Sequence, residues 1–204
     1  MKKLPFVQIV TLTALMSVSL IAEESRQEGA HEHGVGKLDI AFDGTQVAMD
    51  FHAPGADIVG FEYEAKSAEE LTAIEKALET LGAPLALFEL PVAAGCSVTK
   101  ASAMLDAEDD HDEEHGHDDH NDEYHAEHDH EAHDEHETEA LHAEFHAEYL
   151  LTCSNPKAIK EIYFAYFLTF PNALEVEVQV LTEAGARSFE VERNEQTLDL
   201  RDLF

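Results

Sequence analysis

From Ala101 to Pro156 the chain has no Lys and no Arg, and the whole 204-residue sequence has only 12 of them against 44 Asp and Glu. That shortage excludes a basic patch, and with a formal charge of −32 it excludes nucleic acid as a partner. Cysteine is scarce as well: Cys96 and Cys153 are the whole supply. Two cysteines 57 apart match no zinc ribbon and no CxxC motif, and in an exported chain an even pair reads as a disulfide. Such a bridge closes a long loop and is expected to clamp its base. Apolar runs long enough to span a bilayer are missing beyond the N-terminus. There is no HExxH, no EF-hand loop and no Ser or Cys nucleophile motif, which leaves little for a hydrolase or a calcium-binding reading to stand on.

What fills the basic-free region is ligands. Between Asp106 and Glu139, nine of the fourteen histidines (His111, His115, His117, His120, His125, His128, His130, His133 and His136) alternate with 18 carboxylates. A stretch of this composition cannot bury enough apolar surface to offset chain entropy, so it is expected to be a disordered or loosely helical insert, residues 106–140. Neutral imidazole suits Zn, Cu and Ni, and carboxylate adds charge and oxygen donors. His115-x-His117 and His128-x-His130 place two rings near one ion in an extended chain. His117-x-x-His120, His125-x-x-His128 and His133-x-x-His136 do so on a helix or turn. Overlapping ligand sets of nearly equal quality favour several ions in fast exchange, which suits capture and hand-over.

The start of the chain reads as a signal peptide, residues 1–22: Lys2 and Lys3, then an apolar run from Phe6 to Ala22. An uncleaved anchor is the rival, but the run is short and carries Gln8, Thr11, Thr13, Ser17 and Ser19. Cleavage takes the charge from −32 to −34 and leaves no membrane-spanning segment. The remaining residues 23–204 are read as one α+β metal-binding domain.

In that domain Leu38, Ile40 and Phe42, then Val47, Met49 and Phe51, alternate around Asp43-Gly44, a β-hairpin signal. The register puts His52 opposite residues 35–37, within reach of His31 and His33. Those three imidazoles, with water, Glu32 or Asp50, would make an ordered four-coordinate site. Ser67 and Glu70 form a capping box, and Leu71, Ile74, Ala77, Leu78 and Leu81 continue as a helix that Gly82 and Pro84 end. A strand follows from about Cys96. After the insert, Phe145, Ala147, Tyr149 and Leu151 alternate with His142, His146 and their neighbouring glutamates. On a strand His142 and His146 share a face but stand about 13 Å apart, so each would act with the insert instead. Asn155-Pro156 opens an expected second helix through Phe170. Val176, Val178 and Val180 form another strand, and the chain returns through Phe189 and Val191. The pattern gives a mostly antiparallel sheet of about six strands, two helices on one face and the other face wet.

The segments HEHGVGKLDIAFDG, APGADIVGFEYEAKSAEE, LFELPVAAGCSVTKA, HAEFHAEYLLTCSNPKAI and FLTFPNALEVEVQVLTEAGA resemble the ZrgA-like family of periplasmic zinc-uptake proteins. The resemblance implies a non-enzymatic periplasmic protein that binds Zn2+ in support of uptake, alongside envelope transport components. His31 and His33 fall on its HxHG motif. The residues alone leave the metal open, since Cu(II) and Ni(II) compete well for such donors. An exported Ni(II) or Cu(II) buffer is the alternative. A zinc hydrolase built on His31, His33 and His52 stands further off.

Overall fold

The computed structural model describes residues 32–107 and 143–203. The leader, His31, the nine insert histidines and His142 lie outside the described residues. Strands β1 (Val35–Asp43) and β2 (Gln46–Pro54) form the expected hairpin. Asp43 pairs with Gln46, so Gly44 and Thr45 make the turn, and Gly44 supplies the positive φ of +57° that the tight loop requires. Lys37 stands opposite His52, as the alternation implied. A four-residue helix, α1 (Gly55–Ile58), follows, and then α2 (Ala68–Leu81). Ser67 Oγ accepts from Glu70 N–H at 3.1 Å and Glu70 Oε2 accepts from Ser67 N–H at 2.8 Å. Those backbone donors hold the Glu70 carboxyl down at about 2.

Short elements α3 (Pro84–Leu87) and β3 (Phe88–Glu89) lead to β4 (Cys96–Ala107). Beyond the insert, β5 (Ala143–Cys153) runs back beside it. The expected second helix over 155–170 is not one. Its residues divide into a single 3-10 turn (Pro156–Ala158), strand β6 (Glu161–Phe164) and helix α4 (Tyr166–Thr169). Ile162 and Phe164 point into the core while Glu161 is exposed. β-branched and aromatic residues gain more from a pleated, half-buried surface than from a helix, and two neighbouring strands supply pairing. Strands β7 (Glu175–Thr182), β8 (Gly185–Glu192) and β9 (Thr197–Asp199) complete the chain.

The main sheet has six strands in the order β4-β5-β2-β1-β7-β8, and a small sheet has the order β3-β6-β9. All main-sheet pairs are antiparallel except β1 with β7. One face of the main sheet is buried. Leu38, Ile40, Phe51, Phe145 and Val178 are 0–1% exposed there. Phe88, Tyr166 and Phe167 extend the core above it, with Phe51 edge-on to Phe88 at 5.4 Å and to Tyr166 at 5.1 Å. Arg193, which no sequence pattern singled out, closes the end of α4: its guanidinium donates to the carbonyls of Phe167, Phe170 and Ala173. The opposite face of the sheet carries the charged residues. Among the described residues no helix is long and apolar enough to cross a membrane.

Cys96 and Cys153 are bonded, directly opposite each other with Cα atoms 3.9 Å apart. Their position corrects the expectation that the bridge clamps the base of the insert. β4 and β5 run side by side for 11 residues between the disulfide and the insert, on the order of 35 Å at 3.3 Å per residue. The bridge closes the far end of the strand pair, beside the β1–β2 turn, where Cys153 N–H donates to Thr45 O. Replacing both cysteines by Ser should lower the unfolding free energy by about 4 kcal/mol in the loop-entropy account, as read by chemical denaturation. An unchanged transition would show that the strand pairing alone restrains this loop.

Candidate metal centre

Strand pairing creates the site. β2 and β5 are antiparallel with His52 directly opposite His146, both on the open face. The two imidazoles stack with ring centres 4.2 Å apart and planes within 15°. Asp50 lies two residues before His52 on the same face. His146 Nε2 donates to Asp50 Oδ1 at 2.7 Å, and His52 Nε2 lies 3.3 Å from the same oxygen. The other ring nitrogens meet other carboxylates. His52 Nδ1 donates to Glu144 Oε2 at 3.2 Å, and His146 Nδ1 is 3.9 Å from Asp106 Oδ2.

This is a carboxylate–imidazole–carboxylate arrangement on both rings. A proton held on His52 Nδ1 by Glu144 leaves its Nε2 as the lone-pair nitrogen, the arrangement that outer carboxylates impose on histidine metal ligands. His146 would instead give up the Nε2 proton it shares with Asp50 on taking a metal, with Asp106 at ion-pair distance from its Nδ1. Two ligand atoms on a tetrahedral zinc at 2.0–2.1 Å stand roughly 3.3 Å apart. The 3.3 Å between His52 Nε2 and Asp50 Oδ1 matches that spacing, whereas the 2.7 Å between His146 Nε2 and Asp50 Oδ1 is a hydrogen-bond distance that would open by about 0.6 Å around an ion. Asp50, His52 and His146 are, among the described residues, the one group of three such side chains whose ligand atoms lie within 4.8 Å of one another. With three protein ligands a fourth position stays open to water or to an incoming ligand. The side chains are 48%, 35% and 20% exposed. The site is thus accessible to solvent, unlike a sealed structural cage.

The hydrogen bond to Glu144 raises the His52 pKa above its ordinary 6.5, and the charges of Glu144, Asp50 and Asp39 add to it against the opposing effect of burial. Burial raises Asp39 above the ordinary carboxylate value, and the neighbouring Asp50 charge adds to that.

Of the expected trio of His31, His33 and His52, the described residues include His33 and His52, which make separate contacts. His31 lies outside the described residues. His33 is 63% exposed, and its Nε2 donates to Glu62 Oε2 at 2.9 Å. His52 faces His146 instead. Asp50 had been considered a ligand, but Glu144 and Asp106 had not. Their signal was present in the alternation of β5, which put Glu144 and His146 on one face. The missing fact was which strand lies beside β5: β2 is about 90 residues away in the chain.

A family model described as ZrgA family zinc uptake protein matches residues 30–200. The chain belongs to the ZrgA family. No curated protein matches the chain. In this ZrgA-family protein the matched region contains the hairpin, both strands that carry the His–Asp–His group and the disulfide. Zinc enters through the family, because two nitrogens and an oxygen would also satisfy Ni(II) or Cu(II).

In the zinc-free ZrgA-family protein, an NMR titration of His52 should give a midpoint above 6.5, and Glu144→Gln should move it downward by removing the largest cause of the rise. Because the folded value is raised, the stability from this interaction is complete below pH 6.5 and is lost as pH rises through the folded pKa. Protons and metal compete for the same ring, so metal affinity at the centre should fall as pH drops through that value. A His52 midpoint unchanged by Glu144→Gln would contradict the assignment.

Proposed function

We propose that this protein is a periplasmic zinc carrier that captures Zn(II) and hands it over for uptake across the cell envelope. The observation that carries the reading is the convergence of His52 Nε2 and His146 Nε2 on one oxygen of Asp50. The family's description as zinc uptake supplies the metal and the process. The disulfide fits an oxidising compartment, and residues 1–22 are read as the signal that takes the chain there. Zinc is cargo in this reading and catalysis has no part, in keeping with a family described by uptake.

The insert supplies capacity. It leaves the described fold one residue after Asp106 and re-enters one residue before Glu144, the two carboxylates behind the centre's imidazoles. An ion caught by any of the nine insert histidines is therefore tethered beside the ordered site, where a covalent link sets a high effective concentration. His31, His33 and His142 are further ligands from the flanking segments. The ordered centre then binds fewer ions than the insert but more tightly, because its ligands are already held by two paired strands and less freedom is lost on binding. Envelope transport components are the proposed recipients.

Calorimetry on a variant with Ala107 to Glu137 replaced by a short Gly/Ser link tests this division. It should unfold cooperatively, bind fewer zinc ions than the full chain and keep one tight site. That site should vanish in a His52→Ala, His146→Ala background and survive His31→Ala, His33→Ala. Glu144→Gln should weaken it on the order of 10–100-fold, as loss of an outer carboxylate does. A tight site that survives loss of His52 and His146 would overturn the reading. Stronger retention of Ni(II) than Zn(II) by protein purified untagged from its own compartment would favour the nickel-buffer alternative.

A further inference from the structure

One cross-strand row of the open face is apolar, between a charged row of Glu148, Asp50 and Asp39 and a polar one of Thr152, Gln46 and Asp43. Leu150 on β5, Ala48 on β2, Ala41 on β1, Leu181 on β7 and Ala186 on β8 stand in register across five strands. Three alanines make a low floor and the leucines rise from it, leaving a cleft of about 540 Å3. Leu181, near the end of β7, is 55% exposed. Four strand spacings give the row a length of roughly 19 Å. That is about the length of 13 residues of helix.

The cleft adjoins the metal centre. Its rim includes Glu148, Asp50 and Asp39, which pair in register as the next row along. Asp50 is therefore both a wall of the cleft and a member of the His–Asp–His group. A molecule that fills the cleft therefore lies against Asp50, a member of the His–Asp–His group.

We propose that this cleft is the docking surface for the protein that exchanges zinc with the centre, and that the partner presents an apolar ridge flanked by Lys or Arg. The proposal rests on the reading of Asp50, His52 and His146 as a zinc centre. The row leaves apolar side chains open to solvent directly beside Asp50, so a partner that reaches the centre across it buries them. Charge selects the kind of cover. The rim carries three carboxylates against Lys100, in a chain of formal charge −32. A second copy would bring the same acidic rim and the same net charge, and an anionic lipid surface is repelled likewise. A basic, apolar protein face satisfies both demands.

The test places a benzophenone photo-crosslinking side chain at Leu181 or Ala48 in the full-length chain, in the cells that make it. Val92 and Leu168, exposed apolar residues outside the cleft, are the controls. One protein should cross-link from both cleft positions and from neither control. That protein, purified, should bind the full chain, and Leu181→Glu should weaken the complex by about tenfold or more, with Leu181→Ala weakening it less. High salt should weaken it too. Zinc affinity of the Leu181 variants should stay at the wild-type value. A cross-linked second copy, products shared with the controls, or binding indifferent to both Leu181 variants would overturn the docking surface. Zinc binding indifferent to loss of His52 and His146 would instead overturn the zinc-centre reading, leaving the cross-linking result to be judged separately.

Discussion

Everything at the metal centre depends on the register between β2 and β5. His52 meets His146 because Val47 pairs with Leu151 and Phe51 with Ala147, and these residues are buried on the core face. A slip of β5 by one residue would turn His146 into the core and that strand's core residues into water. The hydrophobic pattern on one face therefore sets the metal geometry on the other. β5 is held on both sides, by β2 and by β4, and the disulfide fixes the far end of the β4–β5 pair. At the other end β4 and β5 are joined through the insert. There the imidazoles and carboxylates of four positions, His52, His146, Glu144 and Asp106, sit across three strands.

That arrangement also explains how a strongly acidic sheet face is tolerated. Asp50, Glu144 and Asp106 all approach the stacked rings, and like charges opposite one another on a sheet destabilise it. The hydrogen bond to Glu144, and after it the charges of Glu144, Asp50 and Asp39, raise the His52 pKa, so in the metal-free protein a proton on His52 offsets part of this repulsion. A divalent ion would offset more of it. The repulsion among the carboxylates thus becomes part of the affinity for a cation, and the outer carboxylates orient the rings for it.

Much of the fold was legible from local pattern. The β1–β2 hairpin declared itself through alternation around Asp43-Gly44, α2 through its Ser67–Glu70 capping box, and β5 through the period of Phe145, Ala147, Tyr149 and Leu151. What could not be read was pairing over long separations. Nothing local says that β2 lies beside β5 or that β1 runs parallel to β7, so His52 was matched with the nearby His31 and His33. The segment from Ile159 to Phe170 failed for a different reason. It is apolar nearly throughout, and a short, continuous apolar run does not separate strand from helix by period. The disulfide was correct as a pair and misplaced in space, because 11 residues of paired strand lie between it and the insert.

The most direct test of the account is the zinc X-ray absorption edge and fine structure of the insert-deleted protein loaded with one equivalent of Zn(II). The account predicts a four-coordinate ion with two imidazoles at about 2.0–2.1 Å and the remaining ligands oxygen, and loss of that signature in the His52→Ala, His146→Ala variant. Three or more imidazoles, or a spectrum the double substitution leaves intact, would contradict it.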